Sequence, residues 1–125
     1  MIETRIYVGL NDSKTLKQEH ETSQYISVLK NVCKSYHIPF SFYLSQGGYL
    51  HEDGRYTEEL TLVISLIDAS RDTVNEIAQD LGAFFHQESV LITEDKVRAY
   101  YVSRPQDLPQ PEDEAGTGSD PHTET

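Results

Sequence analysis

Residues 38–67 read IPFSFYLSQGGYLHEDGRYTEELTLVISLI. Two alternating runs flank a glycine-bearing connection, and the fold follows from how they pair. In residues 38–45, Ile38, Phe40, Phe42 and Leu44 share one side, while Ser41, Tyr43 and Ser45 share the other. In residues 57–67, Leu60, Leu62, Ile64 and Leu66 form an apolar side. Thr61, Val63, Ser65 and Ile67 form a second side that is only half polar. Period-two alternation on both sides of a Gly-rich loop predicts an antiparallel hairpin.

The same test extends outward in both directions. Ile2, Thr4, Ile6 and Val8 alternate with Glu3, Arg5 and Tyr7, which predicts a first strand. Asn11, Asp12 and Ser13 then offer helix caps, and Tyr25, Ile26, Leu29, Val32, Cys33 and Tyr36 recur at helical spacing until Pro39. This predicts one helix from the caps to Tyr36, polar all round in its KQEHE turns. After the hairpin, Ser70 caps a second helix with a stripe of Val74, Ile77, Ala78, Leu81, Phe84 and Phe85. Residues 88–93 and 97–103 are strand-like, with EDK between them as a turn or bulge.

The order strand, helix, strand, strand, helix, strand predicts an α+β, ferredoxin-like βαββαβ sandwich. Two helices cover one face of a four-stranded antiparallel sheet, and right-handed crossovers put the first and third strands in its middle. The helix-facing core is expected from Ile2, Ile6, Val8, Tyr25, Leu29, Val32, Phe40, Phe42, Leu62, Ile64, Ile77, Leu81, Phe84 and Val90. The domain spans residues 1–104. Residues 105–125 hold four of the five prolines, six acids and no Lys or Arg, and are expected to be a disordered acidic tail.

The chain carries a formal net charge of −11. Without the tail, fifteen acids and ten bases leave a net of −5 on residues 1–104. That balance repels nucleic-acid phosphates and argues against direct nucleic-acid binding. It still permits docking on a basic protein surface. The lone Cys33 lies on an apolar helix stripe, so no internal disulfide is possible and a cytoplasmic setting fits. The N-terminus has no signal-peptide pattern, and no apolar run is long enough to span a membrane.

The uncovered sheet face should carry Arg5, Tyr7, Tyr43, Val63, Ser65, Ile67 and Leu91. A face this apolar predicts homo-oligomerisation through it. The 46–59 connection gathers the chemistry. Arg5, Tyr7, Tyr49, His51 and Arg55 could clamp an anionic, nucleotide-like ligand, with Glu58 beside them and the Gly47 and Gly48 amides helping. Gln87 and Glu88, pinned between the second helix and the last strand, either hold neighbouring backbone or join that site. His51 and Glu58 could alternatively serve as base and acid of a small hydrolase or isomerase. No metal-ligand, phosphate-loop or nucleophile-elbow pattern appears, so neither metal nor cofactor is expected.

Phe85, Gln87, Glu88, Ser89 and Val90, with weaker matches at Gly9 and Gly48, resemble a family of small bacterial and phage lipoprotein-like proteins of unknown function. Here the lipoprotein signal is missing, and Tyr49 stands where that family has tryptophan. The resemblance supports the fold and implies no activity. Size, acidity and the lack of catalytic signatures also resemble phage-encoded inhibitors of bacterial immunity, which occupy a host effector or sequester a nucleotide signal. The leading expectation is therefore a non-enzymatic binding protein. The alternatives are the His51/Glu58 enzyme and an oligomeric small-ligand sensor.

Overall fold

A computed structural model describes residues 1–50 and 53–106, apart from the Tyr49 side chain. His51 and residues 107–125, most of the expected tail, lie outside the described residues. The elements run β1 (Ile2–Gly9), α1 (Thr22–Ser35), β2 (Ser41–Leu50), β3 (Tyr56–Ile67), α2 (Arg71–Phe84) and β4 (Leu91–Lys96). The sheet is antiparallel throughout, in the order β2-β3-β1-β4. This is the ferredoxin-like arrangement, with β1 and β3 central. No described helix is long and apolar enough to cross a membrane.

The core lies between the sheet and both helices. Ile6 and Val8 of β1 meet Leu62, Ile64 and Leu66 of β3, with Leu29 and Cys33 of α1 and Ile77 and Leu81 of α2. Each of these side chains is nearly or fully buried. Burying a Leu or Ile side chain contributes about 1.5–3 kcal/mol, so this cluster is the main source of stability. Burial also pushes the Cys33 thiol up to about 11, which leaves it protonated and unreactive at neutral pH. Polar ties fix the helix ends. The Tyr36 hydroxyl donates to Asp80 at 2.7 Å, joining α1 to α2. The Arg71 guanidinium donates to Glu94 at 2.8 Å, joining α2 to β4.

Five local expectations need correction. First, the Asn11–Ser13 caps do not start α1. The Asp12 carboxylate accepts from the Lys14 and Thr15 amides in a local turn, and Leu16 takes a φ of 61°. The helix begins ten residues later, where Glu21 and Gln24 form a reciprocal capping box. Second, the connection is shorter than residues 46–59. Gly47 and Gly48 continue β2, paired with Glu59 and Glu58. Third, EDK is not a turn. Glu94, Asp95 and Lys96 pair with Thr4, Glu3 and Ile2.

The fourth correction concerns residues 97–103, which form no strand. β1 runs out at its own start, and the Val97 amide bonding to the Met1 carbonyl is the last contact of that ladder. Fifth, Phe84 is 64% exposed and its neighbour Phe85 is only 3% exposed. The helix ends at Phe84, and Phe85 turns inward to meet the Tyr25 ring edge-on at 4.9 Å.

Candidate functional site

The candidate region is where β1 ends and the hairpin continues past it. β1 pairs with β3 only as far as Gly9 opposite Thr61. β2 and β3 run on together to Leu50 and Tyr56. The loop after β1 fills the space beside that overhang. The Leu10 amide bonds to the Leu60 carbonyl at 2.9 Å, and the Asn11 side chain donates to the Glu58 carbonyl at 3.3 Å. The loop then closes on itself. Asn11 forms a bridge with Gln18, and the Asp12 amide bonds to the Lys17 carbonyl at 2.8 Å.

Glu59 ties the hairpin to the loop after β1. Its carboxylate accepts from the Asn11 amide at 2.9 Å. It occupies the space where a side chain at residue 9 would start, since a Cβ on Gly9 would sit 2.5–2.7 Å from the carboxylate atoms. Gly9 is therefore the vacancy that admits Glu59. Substituting Gly9 by Ala should move the carboxylate off Asn11 while leaving the fold intact, because the obstructing atoms end a flexible side chain. The chemical shift of the Asn11 amide should change, with the melting temperature falling by no more than a few degrees.

Two cavities adjoin Glu59. The larger, about 540 Å³, lies between Gln46–Gly48 of β2, Glu58–Leu60 of β3, and Asn11 and Gln18 of the loop. The smaller, about 280 Å³, lies between Asp12 and Leu16 of the loop, Thr57 and Glu59 of β3, and Gln87–Ser89. Asn11 and Glu59 border both. Two acidic residues, Glu58 and Glu59, and no Lys or Arg are among the larger cavity's described lining residues.

The segment after α2 holds this loop from the other side. His86 takes a φ of 54°. Its Nδ1 lies 2.8 Å from the Asp12 carboxylate, and its carbonyl accepts from the Ser13 amide at 3.0 Å. The Gln87 amide group donates to the Asn11 carbonyl. His86, then the Lys14 and Thr15 amides, hold the Asp12 carboxyl below its usual range. A group with a depressed folded pKa contributes stability above its unfolded pKa and loses it as pH falls through the folded one. The clasp should therefore persist through mildly acidic pH. An NMR titration should find the Lys14 and Thr15 amides moving with a midpoint below that of an ordinary aspartate.

The sequence-predicted residues divide into two groups. Glu58, Gly47 and Gly48 line the larger cavity, and Gln87 and Glu88 border the smaller. Arg5 and Tyr7 lie elsewhere, on the helix-free face. There the Tyr7 hydroxyl, followed by Glu3, raises the Arg5 pKa. Arg55 pairs with Asp53 at 2.7 Å on the exposed hairpin end. Neither arginine lines either cavity, so the expected cationic clamp is not assembled among the described residues. The Tyr49 side chain and all of His51 lie outside the described residues. No group of three His, Cys, Asp or Glu that could hold a metal ion occurs among the described residues.

Sequence reasoning did not place Gly9, Asn11, Gln18 or Glu59 in the site. A usable signal was an acid, Glu59, next to the strand's first leucine, the partly buried Leu60, and within reach of a glycine ending β1. Reading it requires the register of two strands about fifty residues apart.

No protein-family profile matches the chain, and no curated protein matches it. Solved structures do. A phage SAM lyase in its apo state is 26% identical, with a TM-score of 0.55, over 75% of this chain and 78% of that one. A phage SAM lyase in complex with S-methyl-5'-thioadenosine is 24% identical, with a TM-score of 0.58, over 76% and 80%. The periplasmic divalent cation tolerance protein CutA from Archaeoglobus fulgidus shares 9% identity, with a TM-score of 0.50, over 79% and 87%. The CutA likeness is one of fold alone.

Proposed function

We propose that the protein binds S-adenosylmethionine in the Glu58/Glu59 cavity and cleaves it to S-methyl-5'-thioadenosine. The observation that carries this reading is the sign of the cavity. Glu58 and Glu59 line it, and no described Lys or Arg does. Such a lining disfavours nucleotides bearing phosphates and suits a sulfonium nucleoside, whose net charge is positive. Likeness to a phage SAM lyase supports the same ligand class. The anionic ligand expected from Arg5 and Arg55 is replaced by a cationic one.

The chemistry asks little of the protein. S-methyl-5'-thioadenosine is S-adenosylmethionine without its aminobutyrate arm, so the bond that breaks is sulfur to the arm's γ-carbon. Its electron pair stays on sulfur, which becomes a neutral thioether. The arm's own carboxylate oxygen forms the new bond to that carbon and closes a five-membered lactone. No water, external base or co-reactant is consumed, and all atoms are retained.

Catalysis is then positioning: the step is already intramolecular, so the protein's part is to hold carboxylate oxygen, γ-carbon and sulfur in line as a near-attack conformer. A lining without Lys or Arg leaves the substrate carboxylate unpaired and nucleophilic. Glu59, immobilised by Asn11, presents fixed acceptors to ribose hydroxyls or to the α-ammonium. Removing a small nucleoside cofactor from a host is one way for a protein of this type to act as a phage inhibitor of bacterial immunity.

Chromatography of S-adenosylmethionine incubated with the protein tests the reading. Stoichiometric S-methyl-5'-thioadenosine and lactone are expected. A melting-temperature rise with no product would leave a binder that sequesters the nucleoside, the second reading that the pocket supports. Neither product nor a shift would reject both.

A further inference from the structure

Asn11 and Gln18 border the larger cavity together with Glu58 and Glu59. They are also the two partners of the isolated antiparallel bridge in the loop, which sets their side chains beside each other. Both side chains are primary amides, and a primary amide can turn either a donor or an acceptor toward a ligand. Which of the two each one offers is fixed by its neighbours.

The Gln18 Nε2 donates to the His20 carbonyl and to the Thr22 hydroxyl oxygen, both at 3.0 Å. A carbonyl only accepts, so the nitrogen must stand at that end of the amide, and the two bonds use both of its hydrogens. Thr22 opens α1, whose start is itself held by the Glu21–Gln24 capping box, so the anchor is a firm one. The Asn11 Nδ2 donates to the Glu58 carbonyl at 3.3 Å, again a group that only accepts. Each nitrogen is thus committed to the protein's own chain. Each amide oxygen lies on the other side of its group, with no partner among the described residues. Two neighbouring acceptors that cannot reverse suit a ligand group with two N–H donors and no acceptor. An amino group on an aromatic ring is such a group, because its lone pair is delocalised into the ring.

We infer that Asn11 and Gln18 select the base of the nucleoside, their oxygens accepting from the 6-amino group of adenine. The inference rests on the reading of this cavity as a nucleoside site and adds to it the two residues that recognise the base. Hypoxanthine carries a carbonyl oxygen in place of the amino group, so it sets an acceptor against two acceptors. The amides cannot flip to meet it without breaking their bonds to His20, Thr22 and Glu58, and that lost pairing is the source of the preference.

Calorimetric titration with S-methyl-5'-thioadenosine and S-methyl-5'-thioinosine tests it, with S-adenosylmethionine cleavage followed by chromatography on the same preparations. The wild type is expected to bind the amino compound about tenfold more tightly. Gln18→Met and Asn11→Ala should each lower that ratio to about threefold, and the double variant should bring it to about one. The loss should fall on the amino compound, with binding of the 6-oxo compound nearly unchanged, which a general loosening of the loop would not produce. Asn11→Ala keeps the backbone amide that donates to Glu59. The wild-type ratio needs no variant at all. Equal affinities in the wild type, or a ratio that survives both substitutions in folded protein, would overturn the inference and leave cleavage standing. A base preference without cleavage would keep the inference and remove the reaction. Binding of neither compound would also overturn it, whether or not cleavage is seen.

Discussion

Replacing Glu59 by alanine should lower the rate of S-adenosylmethionine cleavage by roughly 100-fold, a size typical of lost positioning in a unimolecular step. Two functions disappear together. The cavity loses one of its two carboxylates, and the Asn11 amide loses the acceptor that holds the loop against the hairpin. Glu59→Gln separates them. Glutamine can still accept from Asn11, so loop and stability should be kept while affinity for the cationic substrate falls about tenfold, equivalent to roughly 1.4 kcal/mol. Steady-state kinetics should then show Gln raising KM more than it lowers kcat, with Ala lowering both. Thermal melts should find Ala destabilised by only about 1 kcal/mol, the ordinary cost of one hydrogen bond. Equal activity of Ala and wild type would remove Glu59 from the site.

The largest stability effect is expected at the residue just beyond α2. Phe85→Ala should cost about 3–5 kcal/mol, the range for truncating a buried aromatic ring. Phe84→Ala should cost less than about 0.5 kcal/mol, as expected for an exposed position. For a domain of this size, each kcal/mol moves the melting temperature by about 4–8 °C. Phe85→Ala should therefore melt more than about 12 °C below wild type, with Phe84→Ala nearly superimposed on it. Phe85 has two independent reasons to matter. It is 3% exposed against a core that includes Leu81, and its ring meets Tyr25 edge-on. Tyr25 in turn accepts from the His20 amide at 3.2 Å, so the cavity left by Phe85 would loosen the approach to α1. Equal losses for the two variants would mean that the chain does not turn inward at Phe85.

These adjacent phenylalanines show what was legible in the sequence and why some of it was not. Periodicity identified the α2 stripe through Leu81, because that stripe is set by helical geometry alone. It could not tell Phe84 from Phe85, because the helix stops between them and His86 adopts a left-handed conformation. The strands of β1 and β3 were legible for the same local reason. Their alternation matches the observed burial from Thr4 to Val8 and at Leu62, Ile64 and Leu66, whereas Val63, expected on the uncovered face, is buried as well. Strand limits were not, since they depend on partners. Glu94–Lys96 are extended because Ile2–Thr4 offer a ladder, and residues 97–103 leave it because β1 has ended.

The site was half legible on the same grounds. Glu58 and Gly47-Gly48 stood out by clustering in one connection. Gly47-Gly48 suggested a bend by composition, yet pairing with Glu58 and Glu59 keeps it extended and turns it into cavity wall. Asn11 and Asp12 read as helix caps, which is what isolated side-chain chemistry favours. Asp12 instead closes a turn and meets His86, a partner 74 residues away. Arg5 and Arg55 suggested an anion clamp because each was counted without its acid. Glu3 and Asp53 already pair with them.

The central claim is that a cavity walled by Glu58 and Glu59 takes a cationic sulfonium nucleoside and lets it cleave itself. The most direct measurement is mass spectrometry of S-adenosylmethionine incubated with the protein in ¹⁸O-labelled water. The expected products are S-methyl-5'-thioadenosine and a lactone that carries no label, since the substrate's own carboxylate oxygen forms the new bond. Solvent oxygen in the primary product, or an S-adenosylmethionine signal that does not decay, would contradict it.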